Sequence, residues 1–186
     1  MIKNILVLLL AIAGASAAVA QSAANVLKGN EITEEALIEA FAPTEVLPDG
    51  VRTRSLKLGG ATRAKQTGAA TKPRSKDVLI TFETNSAQLD DDGKASLDRV
   101  ARAFNSDQLA PLKFAIEGHA DPRGSADENL KLSQSRADSV RNYLVTMKGV
   151  SSERLKAIGK GDRELLNTKV PVAPENRRVT FVTSSQ

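Results

Sequence analysis

The stretch EGHADPRGSADENLKLSQSRADSVRNYLVTM, residues 117–147, holds a contradiction. Its later part has the spacing of an amphipathic helix, with Val140, Leu144 and Met147 set to be buried. At about 100° per residue, Asn129 and Met147 point the same way, and Ser133, Arg136 and Val140 fall within roughly 40° of them. Lys131, Gln134, Asp138 and Asn142 cover the opposite, solvated face. The inward stripe therefore carries an arginine. A cation there is costly unless something anionic meets it, so the sequence asks which anion that is.

Regular patterns flank this helix. LKFAIEG (112–118) alternates, with Leu112, Phe114 and Ile116 on one face, and reads as a strand. The helix follows the GHADPRGSAD loop and runs to about Lys148, where Gly149 ends it. A helical turn at Ser151–Arg154, a strand at LKAIG (155–159), a loop with two prolines and a last strand at NRRVTFVT (176–183) complete the C-terminal side. Upstream, VLITF (78–82) reads as a strand. Asp90-Asp91-Asp92 then opens a helix whose Leu97, Val100, Ala101 and Phe104 recur at helical spacing. The order is β-α-β-α-β-β, an α+β chain large enough for a single two-layer core.

Residues before 77 have a different character. Met1–Asn4 carries a lysine, residues 5–13 are an unbroken apolar run, and Ala18-Val19-Ala20 offers an A-x-A cleavage site. The apolar run is too short to span a bilayer, which takes about 20 residues. Residues 1–20 are therefore expected to be a cleaved signal peptide and the protein to work in the periplasm. Residues 21–50 hold a short helix near 33–41, capped by Thr33, with Ala36, Leu37, Ala40 and Phe41 as an apolar stripe. From Val51 to Lys76 there are eight Lys/Arg and no Asp or Glu, the composition of a basic flexible linker. Residues 77–186 form the main domain.

Composition removes several function classes. Among 186 residues there is no Cys, one His and 3% aromatics, at a net charge of +4. No thiol chemistry, thiolate metal site or lipid-modified cysteine is possible, and aromatic stacking platforms for nucleic acid lack material. A single His argues against a structural metal site, so no metal, cofactor or nucleic-acid partner is expected. His119 reads as a loop-orienting or buried hydrogen-bonding residue.

The residues GHADPRGSADENLKLSQSRADSV, the ITFETNSAQL strand and the closing NRRV resemble the OmpA-like C-terminal domain. That family is the periplasmic module that holds cell-wall peptidoglycan in Gram-negative bacteria. The motif G-H-x-D, then N-x-x-L-S-x-x-R-A-x-x-V, is met here by Asn129, Leu132, Ser133, Arg136, Ala137 and Val140. The resemblance implies helices packed on one mixed sheet. It also implies a ligand, the diaminopimelate residue of the stem peptide, whose free end is a zwitterion. On that resemblance Asp121 takes the ammonium and Arg136 takes the carboxylate. Asn129 adds a polar contact, and Asn85 and Arg177 help line the pocket. Ala120 departs from the family, which often has Thr there.

Alternation also places Arg177 on the inward face with Val179 and Phe181, whereas Arg178 reads as an edge-strand charge that discourages aggregation. Arg136 could instead pair with Asp121 and merely close the loop. The resemblance makes the chain a non-enzymatic tether to the cell wall, its N-terminal segment free to meet an envelope membrane protein. Docking a protein or an anionic polymer through residues 51–76 is the alternative. An enzyme would have to draw on His119, Asp121 and Ser125, crowded in one loop without a second His for zinc.

Overall fold

The computed structural model describes residues 26–42, 73–83 and 86–184. The expected signal segment 1–20, most of the basic stretch 51–76 and Asn85 lie outside these residues. The strands are β1 (Val26–Leu27), β2 (Ser75–Val78), β3 (Lys113–His119), β4 (Leu155–Gly161) and β5 (Val179–Ser184). The helices are α1 (Glu34–Phe41), α2 (Asp91–Phe104) and α3 (Ala126–Thr146). One mixed sheet has the order β1-β2-β5-β3-β4. β1 is parallel to β2, and β3 is parallel to β4 across α3, the crossover helix that a parallel neighbour requires. β5 runs antiparallel between β2 and β3. The predicted α+β arrangement of helices on a mixed sheet is the one observed, with β1 and α1 added at its N-terminal side.

Each helix starts on an oxygen that its sequence supplies. Thr33 accepts from Ala36 N at 3.1 Å and Asp90 from Gly93 N at 2.7 Å. Ser125 and Glu128 form a capping box, each meeting the other's backbone N–H. The three helices share one sheet face, because Leu37, Phe41, Leu97, Phe104, Val140 and Leu144 all join the cluster of Val78, Phe114, Ile116 and Phe181. Four of the five phenylalanines meet there. Phe104 stacks on Phe114 with centroids 4.0 Å apart, and Phe41 and Phe181 approach edge-on. The fifth, Phe82, lies elsewhere and matters below.

Two glycines set the height of α3 above the sheet. A Cβ on Gly118 of β3 would fall 2.2 Å from the carbonyl oxygen of Ser133, and one on Gly159 of β4 would fall 2.7 Å from Gln134 N. Helix backbone therefore rests on strand backbone. This close seat turns Gln134 from the solvated face assigned to it towards β4, where its side-chain oxygen accepts from Gly159 N at 2.7 Å.

The structure corrects the sequence reading at three further points. β2 starts at Ser75, inside the basic stretch, and stops at Val78 instead of reaching Phe82. Its partner β5 begins at Val179, so the ladder has no further rung, and Phe82 bridges Leu89 instead. Met147 is 68% exposed where burial was expected, because α3 ends at Thr146 and Met147 already lies past its last turn. β5 is an interior strand, so an edge-charge role for Arg178 has no edge to serve. Among the described residues no helix is long and apolar enough to cross a membrane.

Candidate ligand-binding site

Three spans meet at one end of the sheet: the β3–α3 loop, the first turns of α3 and the β4–β5 loop. The last is irregular and needs its own anchor. Asn176, fully buried, provides it. Its side chain accepts from Asn167 N and donates to the carbonyls of Asn167 and Pro171 at 3.0 and 2.8 Å. Arg177 follows directly at the end of the Pro174–Asn176 turn, before β5 begins, so strand alternation does not set its direction. It points to Asp121 instead.

Asp121 is 5% exposed and surrounded by guanidinium groups. Arg123 grips it through Nε to Oδ1 at 3.0 Å and Nη2 to Oδ2 at 2.7 Å, and its backbone N–H adds a third bond. Arg177 Nη1 donates to Oδ2 at 2.9 Å. The Arg123 hydrogen bonds, seconded by Arg177 and opposed by burial, hold the carboxyl down to about 2. Asp121 is ionised at any physiological pH. Arg123 was not among the sequence candidates. The available signal was its place two residues after Asp121 in Asp-Pro-Arg-Gly, where the turn, with Gly124 at φ 91°, folds it back.

Arg136 departs from one of its two expected roles, the internal pairing that would merely close the loop. It does not pair with Asp121. Its Nε donates to the carbonyl of Ser86 at 3.1 Å, and its guanidinium lies 5.0 Å from the centroid of the Phe82 ring. Among the described residues no carboxylate meets it, and neither Nη makes a hydrogen bond. Burial, and then the positive charge of Arg177, push its pKa down, while Asp121 opposes them. Three guanidiniums, Arg123, Arg136 and Arg177, thus surround one carboxylate.

The other inward polar residues of α3 have partners. Asn129, 5% exposed, donates through Nδ2 to Asp162 at 3.1 Å, and its Oδ1 accepts no hydrogen bond among the described residues. Ser133, fully buried, accepts from Gly161 N at 2.9 Å and donates to Leu130 O. The structure therefore brings Asp121, Arg177 and Arg136 together, with Asn129 at the helix start beside Asp162. Asn85 directly precedes Ser86 in the sequence and is outside the described residues.

The supposed catalytic grouping is not assembled. Ser125 is taken up in its capping box, and His119 turns to Thr180. Arg178, expected at a surface edge, is 7% exposed and ion-paired to Asp77 at 2.8 Å. Burial, with Arg178 nearby, holds the His119 imidazole down to about 4.

An α+β sandwich with a cationic, loop-framed site at the end of its sheet is the class of protein these features define. Residues 81–178 match the OmpA family, and the chain belongs to it. It is 38% identical over 100 residues to a peptidoglycan-associated lipoprotein of Mesorhizobium japonicum, covering 50% of this chain and 58% of that one. It is 40% identical over 82 residues to outer membrane protein P5 of Haemophilus influenzae, covering 44% of this chain and 22% of that one. The match thus spans a little over half of the first relative and about a fifth of the second. The fold also resembles the periplasmic domain of Helicobacter pylori MotB, at a TM-score of 0.52 and 19% identity, over 61% of this chain and 77% of that one.

Proposed function

We propose that this protein binds peptidoglycan non-covalently, through the diaminopimelate residue of the stem peptide, and so ties itself to the cell wall. The observation that carries this reading is Arg136: a half-buried guanidinium whose two Nη groups have no acceptor among the described residues, beside a cluster with one carboxylate for three arginines. Such a site lacks an anion. A planar fork of this kind suits a carboxylate, which it can grip through two parallel bonds. Asp121 supplies the opposite charge for an ammonium. Arg123, whose side chain is 66% exposed, is free to swing into water when that ammonium arrives.

Membership of the OmpA family supports the wall as ligand, and so does the likeness to a protein named for its association with peptidoglycan. The names of the relatives support a place in the cell envelope.

The test is co-sedimentation of the purified protein with isolated peptidoglycan. The wild type is expected in the pellet. Asp121→Ala and Arg136→Ala are expected in the supernatant, with unchanged far-ultraviolet circular dichroism. If both folded variants pellet like the wild type, the pocket is wrongly assigned.

A further inference from the structure

On β3, Gly118 faces α3, so Glu117 and His119 on either side of it point to the sheet face that the helices leave open. His119 is 2% exposed, and its Nδ1 is a buried polar atom with no hydrogen-bond partner among the described residues. Its neighbours fix what that atom is. The Thr180 hydroxyl donates its one hydrogen to Asp77, whose carboxylate also accepts from Arg178 Nε at 2.8 Å. Thr180 Oγ1 lies 3.2 Å from His119 Nε2 and, with its own hydrogen committed, must accept there. The proton of the neutral ring is therefore on Nε2, and Nδ1 is a bare lone pair sealed in the protein.

A ring nitrogen of His119 lies within 4.8 Å of carboxylate oxygens of both Glu117 and Glu164. Nε2 is already occupied, so Nδ1 is the nitrogen left to bind. The two carboxylates hold a cation already. Lys160 Nζ is 3.3 Å from Glu117 and 3.0 Å from Glu164, yet makes no hydrogen bond to the imidazole.

We propose that Glu117, His119 and Glu164 form a site for a divalent transition metal of the zinc type, which displaces the Lys160 ammonium. One imidazole nitrogen with two carboxylate oxygens is a donor set that zinc and its neighbours accept. The Asp77–Thr180–His119 relay is the outer support that orients a metal-binding histidine and fixes its tautomer. The single histidine did not suggest this from sequence, because its carboxylate partners come from β3 and from the β4–β5 loop. Glu164 lies in the loop that also carries Asp162 and Arg177, so a bound ion pins the frame of the ligand site. The metal site stands whether or not Arg136 and Asp121 bind the wall.

The experiment is calorimetric titration of the untagged full chain with zinc chloride in a non-coordinating buffer, with nitrogen-15 NMR of His119. The expected result is one ion per chain, a large shift at Nδ1 and retention of the Nε2 proton. Glu117→Gln and Glu164→Gln each weaken binding by about tenfold or more, and Thr180→Val, which removes only the outer support, weakens it by about 10–100-fold. Lys160→Met tightens binding, since no ammonium competes. Glu164 and Lys160 are partly exposed, so these variants keep the test sound even if changes at buried His119 do not fold. No saturable binding up to about 1 mM zinc overturns the proposal. So does binding that both glutamine variants leave unchanged, which is adventitious.

Discussion

Replacing Arg136 with lysine separates the shape of this side chain from its charge. Lysine keeps the positive charge but has no planar fork, so a carboxylate that received two parallel bonds receives one. A charge-assisted hydrogen bond contributes about 1.5–3 kcal/mol, so affinity for a diaminopimelate-bearing muropeptide should fall by about tenfold to a hundredfold. The variant also loses the bond from Nε to Ser86 O and part of the contact with Phe82. Together these amount to about 1–2 kcal/mol of stability, a drop of several degrees in melting temperature that scanning calorimetry resolves. The binding assay is titration calorimetry with two ligands, one with a free diaminopimelate carboxylate and one with it amidated. The wild type should prefer the free acid, and Arg136→Lys should lose most of that preference, because the coupling is between this side chain and that carboxylate. An unchanged preference in a folded Arg136→Lys protein would refute the reasoning, whatever happened to the overall affinity.

Acid should act through Asp121. Its carboxyl titrates at about 2 in the folded protein against an ordinary 3.8, so the unfolded chain takes up the proton first as pH falls. The stabilisation is complete above about pH 4 and is lost as pH drops towards 2. Its size is about 1–2 kcal/mol, discounted because Arg123 is exposed, and Asp121→Asn should flatten that limb of a stability–pH curve measured by urea unfolding. Gly118→Ala forces a methyl against the Ser133 carbonyl; unfolding should show a loss of about 3 kcal/mol or more. Arg178→Ala leaves Asp77 without its buried partner and should cost about 3–5 kcal/mol by the same assay. Ser133→Ala strips the acceptor from Gly161 N and should cost about 1–3 kcal/mol.

Periodicity made the long elements legible. α2 and α3 carry their capping acids and their 3.6-residue apolar rows in plain order, and β3 alternates cleanly. β1 left no signal, because two residues added to the edge of a sheet have no period. β2 was misplaced because Ile80 and Phe82 are apolar for reasons other than strand pairing: Ile80 enters the core, and Phe82 lies under Arg136.

At the site, the helix face announced that Arg136 was unusual, and the family motif added Asp121. The actual partners came from elsewhere in the chain. Arg123 reaches Asp121 through a turn, Ser86 reaches Arg136 across fifty residues of sequence, and Asn176 aims Arg177 by anchoring a loop without regular structure. Arg177 and Arg178 both ended in surroundings other than those expected, for different reasons. β5 begins at Val179, three residues after the start read at 176, so alternation does not direct Arg177. Arg178 shares the Asp77-facing side with Thr180 and is buried because β5 is an interior strand.

The most direct test of the account is a crystal structure of the protein with a bound muropeptide ending in diaminopimelate. The account predicts the ligand carboxylate within hydrogen-bond distance of both Arg136 Nη atoms, its ammonium on Asp121, and Arg123 turned away into solvent. A bound muropeptide that leaves Arg123 on Asp121 and both Nη atoms of Arg136 untouched contradicts it.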